Sequence, residues 1–518
     1  MAVSSVYDVL IKNGTIYSGI SEKPESADIG IQGDKIVALG QLDGKAARII
    51  DATGLTVTPG FIDVHTHCDT PFRLSQSLAK RAPTIPSIKG NWNYLYQGVT
   101  TVVSGNCGGG YADLNQWFDL VDTIGFGTNV YHLAPHGSIR TEVLGDDQPI
   151  EPTAEQLDRL KDRVAQVMEM GAVGLSTGLI YPPGFLTKTD EIVELAKVAA
   201  AYGGIYTSHI RDESGRVNTQ GERSVVASIK EAIEIGQRAE IPVNISHLKI
   251  CEPINNMNAR QILDVIEKAR SEGLDLTADQ YPYDASSTTL TAILPDKFVK
   301  SGGIKEEYKT QKGREEIKAA LSEVFDSHNP ENIMISVFRR SSEFEGKNLR
   351  EIAEMLGQDT ADIFIELVCD DLPPQCIFFE QDIDIVREII KQDYILTGSD
   401  GSTIRKDYFK PHPRSYGTFT RKIRKFVIEE NQIDLAQAIR SMTSLPAEKF
   451  NMINRGRIDK GAYADIAVID LDRITDRATF LELHQFSDGI EFLFVNGILS
   501  IDRGRATDGG GGRGLRRT

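Results

Sequence analysis

The chain has 518 residues, 40% of them apolar and 25% charged, with a formal net charge of −17 and a pI near 5.1. That length suits a large domain plus an accessory one, and that charge repels phosphate backbones, which argues against nucleic acid as a partner. No run approaches ~20 consecutive apolar residues, so no membrane span is expected.

The opening stretch, "MAVSSVYDVLIKNGTIYSG", lacks the basic and apolar regions of a signal peptide and reads as a strand. It begins a series of short alternating runs, continued by "ADIGIQGDKIVALG" and "ARIIDATGLTVTPG" and joined by Asn-Gly, Gly-Asp and Thr-Gly turns. The same texture returns in "ADIAVIDLD" and "EFLFVNGILSIDRG". The pattern predicts a small β-sandwich domain built from both chain ends, residues 1–60 and 446–518.

Residues 61–445 alternate differently. Apolar runs ending in polar residues recur: "GFIDVHTH", "TTVVSGNC", "TNVYHLAPH", "AVGLSTGL", "GIYTSHI", "VNISHLK", "LTADQYPY" and "YILTGSD". Between them lie stretches with helical spacing, such as "TAEQLDRLKDRVAQVMEMG" and "NARQILDVIEKARSEG". Eight strand–helix units predict an α/β fold, the (β/α)8 TIM barrel. The wide gap before the eighth run predicts an insertion, about residues 284–342, over the mouth of the barrel. The Gly-rich tail "DGGGGRGLRRT" reads as a solvated, loosely packed terminus.

Chemistry in such a barrel gathers at the C-terminal strand ends. His65 and His67 end the first run and, two apart, point the same way on a strand. Cys107 ends the second, His209 the fifth, His247 the sixth and Asp400 the eighth. Imidazole, thiolate and carboxylate are zinc ligands, and six such groups exceed what one tetrahedral ion needs. Lys249, two residues past His247, and Arg414, after the eighth run, are cations able to hold a carboxylate. His136 ends the third run and faces the same mouth. His132 reads as core, His412 as shaping the Arg414 loop, and His328 and His484 as surface or structural. Cys68 should point into the packing. Five scattered cysteines suggest a reducing cytoplasm.

With these residues in view, the chain resembles the N-acyl-D-amino-acid deacylases (D-aminoacylases) of the amidohydrolase superfamily. The segments that carry the likeness include "TPGFIDVHTHCD", "VTTVVSGNCG", "GAVGLSTGLIYPPG", "YTSHIRDE", "DQYPYDASST", "HPRSYGTF" and "GRGLRR". The resemblance implies hydrolysis of N-acyl-D-amino acids to a D-amino acid and a carboxylate. It implies Cys107, His209 and His247 around one tightly bound Zn2+, and His65, His67 and Asp400, with Cys107 shared, at a second, weaker site. Many amidohydrolases bridge their metals with a strand-four lysine or glutamate; "AVGLSTGL" has neither, which leaves Cys107 as the bridge. Asp400 is the expected proton carrier. Family matching adds Tyr281 and Ser286 or Ser287 as hydroxyl donors to the substrate and Tyr181 near its acyl side. The stretch "DASSTTLTAILP" has no Lys or Arg, so neutral, apolar side chains are expected to be favoured. A cyclic amidase of the dihydroorotase or hydantoinase type is the alternative, and a non-catalytic scaffold of the same fold a more distant one. The expected partner is a small N-acyl-amino-acid substrate, and the expected assembly a monomer or homo-oligomer.

Overall fold

The computed structural model describes residues 6–145, 148–251, 257–295, 297–298, 304–404 and 411–517. Five strands open the chain: β1 (Val6–Ile16), β2 (Glu25–Gln32), β3 (Lys35–Gly40), β4 (Lys45–Asp51) and β5 (Thr56–Pro59). They join β18 (Ile466–Ile469), β19 (Ile490–Val495), β20 (Ile498–Asp502) and β21 (Arg505–Ala506) in one nine-stranded sheet, ordered β21-β20-β19-β18-β5-β1-β2-β3, with β4 branching from β1. The two chain ends meet where β5 pairs antiparallel with β18, Val57 opposite Val468. Val9, Ile29, Ile31, Val57, Ile466 and Phe494 share a core beneath this sheet.

Between these ends run parallel strands: β6 (Phe61–Asp63), β7 (Val99–Ser104), β8 (Asn129–His132), β9 (Ala134–Pro135), β10 (Gly174–Gly178), β11 (Ile205–His209), β12 (Val243–Ile245), β13 (Leu276–Gln280) and β17 (Ile395–Thr397). Pairing runs β6-β7-β8 and then β9-β10-β11-β12-β13-β17. Only Leu133 separates β8 from β9, and a parallel bridge between Thr66 and Gly401 joins the last strand back to the first. Helices pack outside. The helix Ala154–Glu169 shows why the sequence is read so readily here. Thr153 and Gln156 form a capping box, and Leu160, Val164, Val167 and Met168 make a single buried stripe.

After β13 the chain leaves this ring. β14 (Ser286–Thr289), β15 (Ile333–Val337) and β16 (Gln375–Phe378) form a separate antiparallel sheet. It shares a core with three helices, Gln311–Ser327, Leu349–Leu356 and Thr360–Val368, in which Leu290, Ile317, Leu321, Ile352, Phe364 and Phe378 are buried. The inserted unit thus runs past residue 342 to Phe378, because β16 is needed to pair both β14 and β15. Residues 296 and 299–303 of the expected insertion lie outside the described residues.

The tail also departs from expectation. Gly512 N–H donates to Phe126 O, Val130 N–H to Arg513 O, and Leu515 N–H to Val130 O. A Cβ on Gly512 would sit 2.0 Å from Thr128 O, and one on Gly511 2.3 Å from Val495 O. The glycine run is there to let two backbones touch, not to leave the chain loose.

Lys422 begins a π-helical segment, Lys422–Glu429, and is buried, with Nζ 2.9 Å from Thr397 Oγ1. Burial pushes its ammonium down to about 7. Unfolded, the group titrates near ~10.4, so between pH 7 and ~10.4 the unfolded chain holds the extra proton and stability rises with pH. Lys422→Met should flatten that rise and raise the thermal midpoint at pH 6, read by melting curves at pH 6 and 9. Gly512→Val should lower the midpoint by roughly 1–3 °C, since overpacking of this kind costs about 1–3 kcal/mol.

Candidate metal centre

The site is made of turns just beyond the strands. β6 ends at Asp63, so His65 and His67 both lie past it. β7, β12 and β17 likewise stop short of Cys107, His247 and Asp400. Of the six predicted donors, His209 alone sits within its strand. The common direction of His65 and His67 therefore comes from the turn, not from strand alternation. Cys107, His247 and Asp400 have φ of 54°, 35° and 50°, the left-handed region that a residue with a Cβ rarely occupies. Three such residues in one cluster are strain that the surrounding contacts must hold in place.

Those turns converge. Cys107 Sγ lies 3.3 Å from His65 Nε2 and 3.7 Å from His247 Nε2. His247 Nε2 faces His209 Nδ1 at 2.9 Å. Asp400 Oδ1 is 3.1 Å from His67 Nε2 and 3.7 Å from His65 Nε2. The donor atoms of His65, His67 and Cys107, those of Cys107, His209 and His247, and those of His65, His247 and Asp400 each fall within 4.8 Å of one another. All six predicted donors are brought together, and Cys107 belongs to two of the sets.

This donor set fits a metal. Two buried imidazole nitrogens facing each other beside a half-buried thiol repel through their lone pairs unless a proton or a cation sits between them. Burial pushes the Cys107 thiol up, but His65, His209 and His247 outweigh it and hold it well below its ordinary value, in the thiolate form that ligates. Burial also opposes ionisation of Asp400. The Arg414 guanidinium, 2.9 Å away, and His67 overcome it and hold the carboxyl well below the usual range.

Three carboxylates that the sequence reading did not single out frame the cluster. Asp63 Oδ1 accepts the N–H groups of His65 (3.1 Å) and Ser399 (2.9 Å). Burial pushes its pKa up to about 7. Asp279 Oδ1 accepts His247 N–H at 2.8 Å and lies 3.3 Å from His65 Nδ1, while Asn244 donates to Oδ2. Glu213 Oε1 lies 3.0 Å from His247 Nδ1 and 2.5 Å from Lys249 Nζ. Asp63 and Asp279 interrupt apolar strand runs, "GFIDVH" and "LTADQ". An acid there is costly to bury, so that was the available signal.

Lys249, Tyr281, Ser286, Ser287, Arg414 and Tyr181 all line one cavity of about 1070 Å3 that reaches the cluster. Lys249 is buried. Desolvation acts against its charge, but Glu213 prevails and keeps it protonated. Arg414 lies over the Tyr281 ring, 4.6 Å from its centroid, and donates to Ser287 O at 3.3 Å. Tyr281 OH accepts from Gln381 at 3.3 Å, and Tyr181 OH pairs with Thr288 Oγ1 at 2.9 Å.

The other histidines divide. His136 does not join the cluster; it turns to Glu191, 3.1 Å away, beside the buried Arg140. His132 is buried against Ser104 and Tyr111 O. His412 Nδ1 accepts Arg414 N–H at 3.0 Å, so it does shape that loop. His328 pairs with Glu380 at 2.8 Å and lines the cavity instead of the surface. His484 pairs with Tyr416 OH. Cys68 is fully buried in the main core.

Residues 56–499 match the model of the amidohydrolase family. The chain is 31% identical to a D-aminoacylase of Alcaligenes xylosoxydans xylosoxydans over 99% of both chains. It is 32% identical to an N-acyl-D-glutamate deacylase of the same organism, over 95% of this chain and 93% of that one. Among solved structures, the N-acyl-D-glutamate deacylase of Bordetella bronchiseptica superposes with a TM-score of 0.80 at 32% identity, over 99% of this chain and all of that one. That enzyme was solved with zinc and a phosphonate inhibitor that mimics the tetrahedral intermediate of its reaction. The motifs, the convergent donors and these full-length likenesses agree: the chain belongs to the amidohydrolase family, in its branch of N-acyl-D-amino-acid deacylases.

Proposed function

We propose that this chain is a zinc-dependent deacylase that cleaves the amide of N-acyl-D-amino acids with neutral, apolar side chains. The observation that carries the reading is the six-donor cluster opening into the same cavity as two buried cations, Lys249 and Arg414. The fold reading that goes with it is a (β/α)8 barrel over residues 61–445, with the inserted unit extended to about 378, and a two-ended β-sandwich domain. The closed strand order of the parallel ring and the nine-stranded sheet support it. The five cysteines, none of them in a disulfide, fit the reducing cytoplasm expected from sequence.

Cys107, His209 and His247 would hold the tighter Zn2+, and His65, His67 and Asp400, with Cys107 shared, a weaker second ion. A zinc in such a site would polarise the scissile carbonyl and lower the pKa of a water toward ~7. The protein does the rest. Lys249 and Arg414 hold the α-carboxylate, which fixes the amide relative to the cluster. Tyr281 and Ser286 or Ser287 add hydroxyl contacts. Asp400, kept ionised by Arg414 and His67, takes the proton of the attacking water and delivers it to the leaving amine nitrogen. Asp63 and Asp279 hold the turns in place by their backbone hydrogen bonds.

The preference for neutral side chains rests on the β14 side of the cavity, where Thr288, Thr289, Ala292 and Ile293 bring no charge. Arg216 and Arg339, from other segments of the chain, line the same cavity. A cyclic amidase is not favoured, because β10 offers neither lysine nor glutamate for the bridge. A scaffold without chemistry is not favoured either, because no donor is lost.

With zinc supplied, N-acetyl-D-methionine should be hydrolysed at least about a hundredfold faster than its L-isomer, and faster than N-acetyl-D-glutamate. Equal rates on the two isomers would sink the deacylase reading, and a preference for D-glutamate would sink only the side-chain assignment. Cys107→Ala should lose both tight zinc, by metal analysis after dialysis, and activity. Asp400→Asn should keep the tight zinc yet lose about 10²–10⁴-fold in kcat.

A further inference from the structure

A second cavity, of about 570 Å3, meets the first at Arg73, Cys107, Gly109 and Tyr181. It lies over the loops that follow β7, β9 and β10. The residues assigned to the amino-acid half of the substrate follow β12, β13 and β17, on the opposite side of the ring. With the donor cluster between the two, a substrate whose carboxylate sits at Lys249 must direct its acyl group toward this second cavity.

Six of the fifteen residues that line that cavity are glycines, and the glycines differ in kind. A Cβ on Gly178 would meet Cys107 O at 2.2 Å, one on Gly184 would meet Gly178 O at 2.4 Å, and one on Gly137 would meet Gly108 O at 2.9 Å. These three are needed for the loops to pack backbone on backbone. Gly109 is not. Its φ is not positive, and the nearest heavy atom to its Cβ position is Arg73 Nη2 at 3.7 Å. Nothing in the packing excludes a side chain at residue 109, and what a side chain there would fill is the passage between the two cavities.

We infer that this space is an acyl arm, which admits linear acyl groups longer than acetyl, and that Gly109 determines that specificity by leaving the passage open. Arg73, Ser138, Thr141 and Glu142 also line the cavity, and it is the wall of Pro182, Pro183, Ala112 and the Tyr181 ring that suits a neutral alkyl chain. The inference rests on the deacylase reading above, with the α-carboxylate at Lys249 and Arg414.

The test compares kcat/KM for N-acetyl-, N-butyryl- and N-hexanoyl-D-leucine in the zinc-loaded wild type and in Gly109→Leu and Ala112→Phe. Ala112 lines the second cavity alone, farther from the cluster, and so reports independently should Gly109→Leu fail to fold. In the wild type the hexanoyl substrate should exceed the acetyl one by about a hundredfold, as expected when most of its four extra methylenes are buried. Gly109→Leu should cut the hexanoyl-to-acetyl ratio by about tenfold or more, and Ala112→Phe should cut the hexanoyl-to-butyryl ratio. Ratios unchanged in both variants, with the acetyl substrate still hydrolysed by the wild type, overturn the acyl arm alone. A wild type inert on every N-acyl-D-amino acid overturns the deacylase reading, and the arm with it.

Discussion

Two buried carboxylates set the geometry on which the site depends. Asp63 on β6 and Asp279 on β13 stand on either side of β17 and take backbone N–H groups from the turns that carry His65, Ser399 and His247. A carboxylate in such a place is costly, and its cost is offset only while those hydrogen bonds are made. The arrangement is therefore stiff. The turns cannot relax from their left-handed conformations at His247 and Asp400 without stranding an acid in the core. Gly398 belongs to the same constraint, since a Cβ there would strike both His65 and Asp279.

Much of this was legible in the sequence, for physical reasons that differ by element. The helix over Ala154–Glu169 announces itself through its cap and its apolar stripe, which are local properties. The six donors could be named because polar residues that end apolar runs are few. Their geometry could not. The alternation argument for His65 and His67 presumes a strand that stops at Asp63, and the turn that replaces it is held by residues hundreds of positions away, such as Gly401. Glu213 was hidden in a charged string, "HIRDE", where only the fold reveals which acid turns inward. The end of the inserted unit was missed because β16 makes sense only beside β14 and β15. The tail was misread because composition alone cannot distinguish glycine used for freedom from glycine used for closeness.

The electrostatics of the cavity run against those of the molecule. The chain carries a net charge of −17, yet the space above the cluster is lined by six cations, Lys249, Arg414, Arg73, Arg81, Arg216 and Arg339, against four carboxylates, Asp212, Glu213, Glu380 and Asp400. An acidic surface with a basic cavity draws an anion inward and keeps it from spreading over the exterior. A single negative substrate such as an N-acyl-amino acid suits that field. Inside, the cations nearest the cluster are already matched, Lys249 to Glu213 and Arg414 to Asp400, so the buried site carries little unbalanced charge before a substrate arrives.

The sheet shared by the two chain ends bears on the order in which the molecule can be assembled. Arg48 and Asp502 form an ion pair although 454 residues separate them, and β5 waits for β18. Contacts of such separation form late, because the loop between them must first be made compact. The ring of parallel strands is that loop, so it must fold before the two-ended domain can close. The turns that carry the donor residues then take shape while β5 still lacks β18. A chain stalled near its end during synthesis would thus present a nearly finished catalytic ring beside an open sheet edge, the element most exposed to mispairing with another chain.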